Sequence, residues 1–495
     1  MKLFNIRGGI HPDYRKGQTS EKAIVAMPLP ALLYIPLQQH IGAPAEALVA
    51  EGDLVRKGQM IARGQGTISA PQHAPTSGRV VAVAEIASPH PSGLPQKTII
   101  IEPDGKDEWA DLPEPIADPF ALDAQAIGER VAASGIVGMG GAAFPSAVKL
   151  NLGTQKKLDT LLLNGAECEP YLTCDDRLMR EHADEIVDGA RIMAHALGTP
   201  RIVIAIEDNK PQAIEIMRKA ASPFANVTVA GVPVQYPMGS ERHLVQAITG
   251  LETPARKLTA DLGVVVHNVA TARAVHHAVR FGRPLIARVV TVSGGAISEP
   301  KNVETPIGTR ISDLVEFCGG FAVRPERLIN GGPMMGQPLP SLDVPMIKGT
   351  SGILALTAEE TNDNPASPCI RCGTCVTICP CGLIPVEMAA FIRKDKLEEA
   401  AKLGVMDCVS CGSCSWVCPS HIPLVHYFNY AKGMLNAKDR ELRKNDRVKS
   451  LVEARTIRLE KAAEAKKAAL AAKKPAAPAA EAAPTPPTSE EKATA

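Results

Sequence analysis

The sequence predicts a multidomain protein that combines α/β and α+β domains. Three observations lead to this class: a run of short β elements, a following alternation of strands and helices, and a duplicated cysteine motif near the C-terminal end. At roughly 100–200 residues per domain, 495 residues should hold about three domains. Hydrophobic residues make up 45% and charged residues 22%, which is ordinary for a protein with sizeable cores.

Charge and hydropathy exclude two kinds of function. The 54 basic and 53 acidic residues nearly balance, and aromatic residues make up only 3%, so we expect no nucleic-acid binding. No apolar run approaches the roughly 20 residues that a membrane span needs. Residues 1–16 lack the apolar region of a signal peptide. We therefore predict a cytosolic chain without a membrane span of its own.

Residues 1–105 are predicted to form a module of short strands. The segments 49–62 and 69–83 contain short apolar runs separated by glycine and proline turns. They resemble the barrel-sandwich domain of lipoyl and biotinyl carriers. No lysine lies between Arg63 and Gln96, so the hairpin tip has no attachment point for a swinging arm. We interpret the module as structural rather than as a carrier.

A proline-rich linker over 102–119 leads to a predicted α/β domain over 120–280. Its strands and helices alternate, which is typical of a layered α/β domain. The apolar patterns predict buried strands and amphipathic helices. These are strands at Leu158–Leu163 and Ile202–Ile206, and helices at Ala124–Ala133 and Ala183–Leu197.

Four further segments complete the chain. Residues 285–340 return to short strands, beginning with Ala287–Ser293, and predict a small mixed β domain. Residues 360–430 carry the cysteine motifs, and residues 431–460 are charged and favour a helical extension. Residues 461–495 contain 15 alanines, several prolines and too little apolar bulk to fold, so we predict a disordered tail.

Eight cysteines form a duplicated pattern. C-x₂-C-x₂-C-x₃-C-P begins at Cys369 and recurs 39 residues later. Three thiolates at this spacing can bind one face of a cube-shaped cluster, while the fourth ligates the other cluster. Zinc sites usually have two separated C-x₂-C pairs, so zinc fits poorly. We predict two [4Fe–4S] clusters. The first cysteine set is Cys369, Cys372, Cys375 and Cys418, and the second is Cys408, Cys411, Cys414 and Cys379.

The other four cysteines lack metal-like spacing. Cys381 follows Pro380 directly, and we interpret it as a bystander rather than a ligand. Cys168, Cys174 and Cys318 are interpreted as structural thiols.

A glycine-rich loop follows the first predicted helix of the α/β domain. Residues 134–146, SGIVGMGGAAFPS, match G-x-G-x-x-G/A in its permissive form. The dinucleotide-binding fold needs a strand before this loop and a helix opening from it. Here the preceding segment is predicted to be helical and Pro145 interrupts the following one. A phosphate-binding loop of another kind and a tight turn packed under a domain both stay open.

Three further polar segments follow apolar runs, at positions where α/β domains bind ligands. They are Asn164–Pro170, Tyr236–Glu241 and His267–Thr271. Together with the glycine-rich loop, these segments resemble the flavin- and NADH-binding subunit of respiratory complex I. The motifs that carry the resemblance, in chain order, are G-x-G-G-A-x-F-P, N-x-x-E-x-E-P, Y-x-x-G-x-E and N-x-x-T. The full arrangement over residues 5–430 is similar to the RnfC family. These are peripheral subunits of Rnf electron-transport complexes, with barrel-sandwich, flavin, β-grasp (SLBB-like) and two-cluster ferredoxin-like domains.

The resemblance implies FMN as cofactor and NADH as substrate, and it assigns roles to individual residues. Those that line the FMN phosphate and ribityl chain are Gly138, Gly140, Gly141 and Ala142, with Lys149 neutralising the phosphate. Those that hydrogen-bond the flavin are Asn164, Glu167, Asn268 and Thr271. Those that contact NADH are Phe144, by stacking, and Glu169, by accepting from a ribose. Those that complete the pocket are Tyr236, Gly239 and Glu241. Met139, Ala166 and Ser240 depart from the complex I pattern.

A flavin domain joined to a two-cluster segment suggests a converter of electron pairs into single electrons, which needs no catalytic acid, base or nucleophile. The family implies transfer between NADH, FMN, the two clusters and partner subunits of an ion-translocating NADH:ferredoxin oxidoreductase. These partners are integral membrane subunits and a ferredoxin-like subunit at the cytoplasmic face of the bacterial inner membrane. The sequence leaves the electron direction open. The alternatives are a microcompartment cobalamin reductase, a diaphorase subunit of a soluble hydrogenase or formate dehydrogenase, and a non-enzymatic iron–sulfur adaptor.

Overall fold

The computed structural model describes residues 2–361, 364–472 and 483–487. The chain divides into two compact units, residues 1–431 and residues 432–495. The first unit contains four separate sheets and the cysteine segment. The predicted mixture of β, α/β and helical parts is confirmed.

The N-terminal part is built from strands, of which β7 and β8 are long and the others short. They are β1 Val25–Ala26, β2 Leu33–Pro36, β3 Glu46–Ala47, β4 Leu54–Val55, β5 Met60–Arg63, β6 Gln72–His73, β7 Gly78–Ala87 and β8 Pro95–Pro103. One sheet has the order β2-β8-β7-β4 and the other β3-β5-β6, and all their pairings are antiparallel. Buried side chains such as Leu33, Ile61 and Ile99 fill the space between them.

Within the predicted 1–105 domain, the residues before β2 contact other parts of the first unit rather than pairing with these two sheets. Strand β1 pairs in parallel with a strand of the third domain. Residues 4–19, which we call the N-terminal strap, contact the α/β domain and the cysteine segment instead. The strap approaches other backbone closely because it contains Gly8, where an added Cβ would come 2.4 Å from the Ile378 carbonyl oxygen. A close contact of this kind leaves no repeating pattern in the sequence, so the position of the strap could not be predicted from the sequence.

The α/β domain contains four strands and seven helices. They are α1 Ala124–Ala133, α2 Ser146–Leu150, β9 Thr160–Gly165, α3 Cys174–Glu181, α4 Ala183–Leu197, β10 Arg201–Glu207, α5 Pro211–Ala221, β11 Val227–Val232, α6 Glu241–Thr249, β12 Val264–Asn268 and α7 Val269–Phe281. Helices α1 and α4 have the predicted bounds. Strand β9 begins two residues after the predicted start and ends two residues later.

The four strands form a parallel sheet in the order β11-β10-β9-β12. Successive side chains along a strand point to opposite faces. Leu161 and Leu163 accordingly belong to one hydrophobic core, and Leu162 belongs to another. Because the strands are parallel, the segments after β9, β11 and β12 meet at the carboxyl edge of the sheet. The glycine-rich loop follows helix α1 rather than a strand, as predicted.

The third domain contains the predicted mixed β segment 285–340 and one strand that follows it. Its elements are β13 Ala287–Ser293, β14 Lys301–Pro306, α8 Ile311–Phe317, β15 Arg327–Asn330, β16 Gln337–Pro338 and β17 Gly352–Leu356. They form a six-stranded sheet with the order β1-β14-β13-β17-β15-β16. Strand β17 is buried throughout, so the sheet needs this strand from beyond the predicted boundary to close its core.

The cysteine segment contains short helices: α9 Thr374–Thr377, α10 Pro385–Ile392, α11 Leu397–Lys402 and α12 Ser413–Trp416. The duplicated sequence gives duplicated local structure. Helices α9 and α12 each begin after a glycine in the left-handed region, Gly373 with φ 76° and Gly412 with φ 80°. A side chain at either glycine would strain the backbone.

The last helix, α13, covers Leu424–Ala472. The helical extension predicted over 431–460 lies within this helix, which also covers residues 424–430 and residues 461–472 of the segment predicted as a disordered tail. Alanine, leucine, lysine, arginine and glutamate favour helix, and no proline occurs between the start of this helix and residue 475. The rest of the predicted tail, apart from 483–487, lies outside the described residues. Among the described helices, none has the length and hydropathy to cross a membrane.

Candidate functional site

The glycine-rich loop presents bare backbone to open space. The Gly138 N–H donates to the Phe144 carbonyl at 2.8 Å and closes the loop. Gly141 has φ 106°, and a Cβ added there would meet no protein atom within 4 Å. Gly141 and Ala142 are exposed, whereas Phe144 is half-buried. The loop therefore leaves room for a ligand beside its main chain.

Contacts from two other segments support the loop from behind. The Met139 N–H donates to Thr271 Oγ1 at 3.0 Å, and the buried Arg288 guanidinium donates to the Met139 carbonyl at 2.6 Å. A Cβ on Gly140 would lie 3.4 Å from Asn268 Cβ. Sequence reasoning missed Arg288, whose one signal is a charged side chain within the buried strand β13.

Lys149 and Glu241, both predicted for the pocket, form an ion pair. Lys149 Nζ lies 3.1 Å from Glu241 Oε2 and also donates to the Val266 carbonyl at 3.1 Å. Glu241 additionally accepts from the Thr259 hydroxyl at 2.6 Å. The lysine is held at the carboxyl end of β12 with its charge already paired.

The two predicted asparagines cross-link the carboxyl edge of the sheet. The Asn164 amide donates to the Gly239 carbonyl at 2.8 Å. The Asn268 amide donates to Asp175 Oδ2 at 2.6 Å, and its carbonyl oxygen accepts from the Ala270 N–H at the start of α7. The structure thus brings together the asparagines, the glycine-rich loop and the 236–241 loop.

Glu167 caps helix α3. Its carboxylate accepts from the Asp175 and Asp176 N–H groups at 2.8 and 3.2 Å and from the Cys174 thiol at 3.4 Å. Burial, with the nearby Glu167 charge, raises the pKa of Asp175 to about 7. Burial also raises the pKa of the buried Cys174 thiol, and its interpretation as a structural thiol stays a prediction.

Glu169 faces the third domain rather than open space. Its two carboxylate oxygens accept from the Met334 and Met335 N–H groups at 3.0 and 2.9 Å. A Cβ on Gly332 would come 2.3 Å from Glu169 Oε2, so only glycine permits this approach. Burial raises the pKa of Glu169 to about 7. The predicted NADH-ribose acceptor is therefore bound to backbone in this structure.

Lys16 from the strap holds the loop that carries both glutamates. Its ammonium donates to the carbonyls of Glu167 and Glu169 at 2.9 Å and to that of Leu172 at 2.5 Å. Burial lowers the pKa of Lys16. Another lysine, the buried Lys210, pairs with Glu207 at 2.9 Å. Sequence reasoning missed both lysines because neither belongs to a recognisable motif.

The second cysteine set surrounds one hollow. Cys379, Cys408, Cys411 and Cys414 line one shared hollow, with Cys381 also in its wall. The remaining lining residues are mostly apolar and include Met388, Val425 and Phe428. Four thiols around an apolar-walled hollow suit an iron–sulfur cluster, so these residues fit the predicted group.

The first cysteine set also lies together but is more open. Burial raises the pKa of the Cys375 thiol, and its neighbours Cys372, Cys418 and Cys369 raise it further. Cys369 and Cys372 are exposed, whereas Cys379, Cys411 and Cys414 of the second set are buried. The structure brings together both predicted sets, including the exchanged fourth cysteines.

Tyr236 lies between the 236–241 loop and the second cysteine set. Its fully buried hydroxyl donates to the Cys411 carbonyl at 2.7 Å. Cys168 packs in the same small apolar cluster, and its sulfur accepts from the Gly239 N–H at 3.2 Å. We predicted Tyr236 as part of the flavin pocket, and the structure directs its hydroxyl to the cysteine segment.

Family models match four parts of the chain. They are the RnfC barrel sandwich hybrid domain over residues 4–106, the Nuo51 FMN-binding domain over 131–277, the SLBB domain over 289–338 and a 4Fe-4S dicluster domain over 368–422. The chain is 59% identical over 447 residues to the RnfC-type subunit of the ion-translocating oxidoreductase complex of Rhodobacter capsulatus, covering 90% of this chain and 85% of that protein. This chain belongs to the RnfC family.

A second relative is the corresponding subunit of the proton-translocating ferredoxin:NAD(+) oxidoreductase complex of Clostridium ljungdahlii. It is 47% identical over 431 residues, which cover 87% of this chain and 94% of that protein. The RnfC-family chain is an electron-transfer subunit of an oxidoreductase complex, and its FMN and [4Fe–4S] cofactors are confirmed at the level of domains. Family membership favours this function over the cobalamin reductase, diaphorase and adaptor alternatives.

Proposed function

We propose that the glycine-rich loop and the carboxyl edge of the parallel sheet bind FMN and NADH, and that electrons pass between this pocket and partner subunits through both cysteine sets. The hydrogen bond from the Tyr236 hydroxyl to the Cys411 carbonyl carries this proposal. It joins a pocket loop to a cysteine-lined hollow within one compact unit.

The loop main chain is proposed to hold the FMN phosphate and ribityl chain. The proposal is supported by the open space beside Gly141 and by the exposed backbone of Gly140 and Ala142. Backbone N–H groups in such a loop suit an anion. Lys149 is positioned to exchange its ion pair with Glu241 for the phosphate charge, which an ammonium group stabilises.

The asparagines and Thr271 are proposed to fix the flavin indirectly as well as by direct hydrogen bonds. Thr271 and Asn268 contact the back of the loop, and Asn164 fixes the Gly239 carbonyl. Glu167 holds helix α3 at the same edge. A rigid pocket orients the flavin ring, which is the protein's main contribution in flavin enzymes.

NADH is proposed to lie against Phe144, whose ring is half-buried in the loop. Glu169 would accept from a ribose hydroxyl after leaving the Met334 and Met335 N–H groups. When bound, a flavin converts between the electron pair of a hydride and the single electrons that iron–sulfur clusters accept. Apolar side chains around Cys379 and Cys411 exclude water from the second set.

The proposed partners are integral membrane subunits and a ferredoxin-like subunit at the cytoplasmic face of the bacterial inner membrane. Two observations support this. Cys369 and Cys372 of the first set are exposed, where another protein can approach. The Clostridium ljungdahlii relative bears the name of a proton-translocating ferredoxin:NAD(+) oxidoreductase subunit.

Anaerobic purification of the full chain tests the proposal, with iron, sulfide and released flavin counted per chain. We expect about eight irons, about eight sulfides and about one FMN, and rapid reduction of ferricyanide by NADH. Lys149→Gln should weaken flavin binding at least about tenfold, the loss of about one charged contact, with iron unchanged. Lys157→Gln, at an exposed lysine nearby, is the matched control.

Two results would contradict the proposal. Zinc in place of iron would exclude the clusters. A full complement of iron and flavin without NADH-dependent turnover would favour the non-enzymatic adaptor.

A further inference from the structure

We propose that the two cysteine sets hold fixed and different places in the relay. The second set, which contains Cys379 and Cys411, exchanges electrons with the nucleotide pocket, and the first set, which contains Cys369 and Cys372, exchanges them with the partner. Tyr236 is the positioning residue that joins pocket and second set. This inference rests on the proposed function, and it adds an order that the cysteine spacing does not contain.

Tyr236 is bound on both sides. Its backbone N–H and carbonyl pair with those of Ile10 in the N-terminal strap, at 2.9 and 2.8 Å. Its side chain is fully buried and donates to the Cys411 carbonyl at 2.7 Å. Three residues further on, the Gly239 carbonyl accepts from Asn164 in the pocket. One short loop therefore contacts a predicted flavin-binding residue and a predicted cluster ligand.

The strap makes a second connection to the same set. The Gly9 N–H donates to the Ile378 carbonyl at 2.9 Å, directly before Cys379. Further along the strap, the Tyr14 carbonyl accepts from the Tyr171 N–H at 2.8 Å, in the segment that follows Glu169. The strap thus connects the chain entering Cys379 to the pocket loop, independently of the Tyr236 hydroxyl.

Contacts from two more segments reach the second set. Asp407, which precedes Cys408, accepts from the Arg256 N–H at 2.9 Å and pairs with Arg242 at 3.9 Å. A Cβ on Gly412 would lie 2.9 Å from the Met334 carbonyl oxygen. These contacts all involve residues that flank ligands of the second set, so its position relative to the pocket is fixed from several directions.

The first set is placed differently. For residues 367–377, the hydrogen bonds described in this structure stay within the cysteine segment, for example from the Ser420 hydroxyl to the Pro368 carbonyl. Ile370 is 69% exposed and Trp416 is 53% exposed. Exposed apolar side chains beside exposed ligands suit contact with a partner protein. Because electron transfer slows steeply with distance, the second set, whose ligands and flanking residues contact the α/β domain, is the one suited to exchange with the pocket.

The positions can be tested by electron paramagnetic resonance on the full chain, purified anaerobically and reduced with dithionite. Cys369→Ser and Cys408→Ser identify the signals of the first and second sets through changes in their spectra. A soluble dysprosium chelate then speeds the relaxation of clusters near the surface. We expect a several-fold larger effect on the signal of the first set. An equal effect, or a larger one on the second set, would overturn the inference.

Tyr236→Phe tests the positioning residue because it removes only the hydroxyl. We expect a shift in the midpoint potential and g values of the second-set signal, with the first-set signal unchanged. Tyr430→Phe, at a tyrosine that is 52% exposed, is the matched control and should shift neither signal. Unchanged second-set values in Tyr236→Phe would exclude the assigned role.

The same samples separate this inference from the proposed function. Fewer than about eight irons per chain would contradict the two-cluster function itself. About eight irons per chain, together with a dysprosium effect that is equal on both signals or larger on the second-set signal, would contradict only the order of the sets.

Discussion

Two acids at the carboxyl edge of the sheet, the buried Asp175 and the half-buried Glu169, bind protons more tightly than exposed acids do. Burial raises the pKa of Glu169 and of Asp175 to about 7. The charged carboxylate of Glu169 depends on two backbone N–H groups for stabilisation, and in the described part of the chain no arginine or lysine donates a hydrogen bond to this carboxylate. Ionisation of either acid near neutral pH therefore acts against the folded state.

Glu169→Gln should lessen the dependence of stability on pH. An acid with a raised pKa makes its largest contribution to stability below its ordinary value, 4.5 for this glutamate, and loses it as pH rises to about 7. The free energy of unfolding should fall over this range in the parent chain by at most about 3 kcal/mol from Glu169. Thermal unfolding between pH 5 and 8 measures this, with exposed Glu326→Gln as control. An unchanged slope in Glu169→Gln would refute the explanation.

Cys381→Ser should leave the iron content unchanged. Cys381 lies in the wall of the second-set hollow, and burial raises the pKa of its thiol to about 12. The spacing already supplies four ligands without it, so we expect about eight irons per chain, against about four for Cys379→Ser. Iron analysis of both anaerobically purified variants decides the matter. Loss of about four irons from Cys381→Ser would make it a ligand.

At the scale of elements, the glycine-rich loop shows how a motif depends on its surroundings. The loop connects α1 to α2, and its shape is maintained by Thr271 from α7 and Arg288 from β13. The motif itself specifies only the glycine positions, where the backbone carries no side chain. Its binding geometry depends on elements more than 100 residues away in sequence.

Gly141→Ala should reduce FMN occupancy through the backbone. No protein atom lies near the added methyl group, but φ 106° is strained for any residue with a side chain, at a cost of about 1–3 kcal/mol. Released flavin per chain should fall several-fold while iron stays constant. Gly17→Ala is the control, because Gly17 is exposed and an added Cβ there has open space and no positive φ. Full flavin occupancy in Gly141→Ala would show that the loop does not hold the cofactor.

At the scale of the whole molecule, the first compact unit contains all eight predicted cluster ligands and all predicted pocket residues. Helix α13 contributes Leu424, Phe428 and Ala431 to its buried residues. From residue 432 onward, the described side chains of this helix are half-exposed or exposed. The contents of the first unit therefore indicate that it can bind the cofactors alone.

Deletion of residues 432–495 should leave cofactor content and NADH–ferricyanide turnover within about twofold of the full chain. Deletion of residues 424–495 is the comparison, because it also removes Leu424, Phe428 and Ala431, and we expect it to lose iron. Removing large buried apolar side chains lowers the free energy of unfolding by several kcal/mol. Loss of flavin or iron from the shorter deletion would contradict the assignment.

Local patterns determined much of this protein. The cysteine repeat alone indicates two four-thiol sets, and apolar periodicity indicated α1 and α4 with the observed bounds. In each case the residues that form the pattern are close together in the sequence. For the pocket residues, the order of motifs and its resemblance to a family supplied the roles, which stay predictions.

Only the tertiary structure decided how these parts meet. Lys16 contacts the Glu167 carbonyl across 151 residues of sequence, and Tyr236 contacts Cys411 across 175. Such contacts depend on single buried polar groups that need partners, not on a repeating pattern of side chains. The strap, Arg288 and the inward position of the second cysteine set follow from long-range packing, which a local sequence pattern does not record.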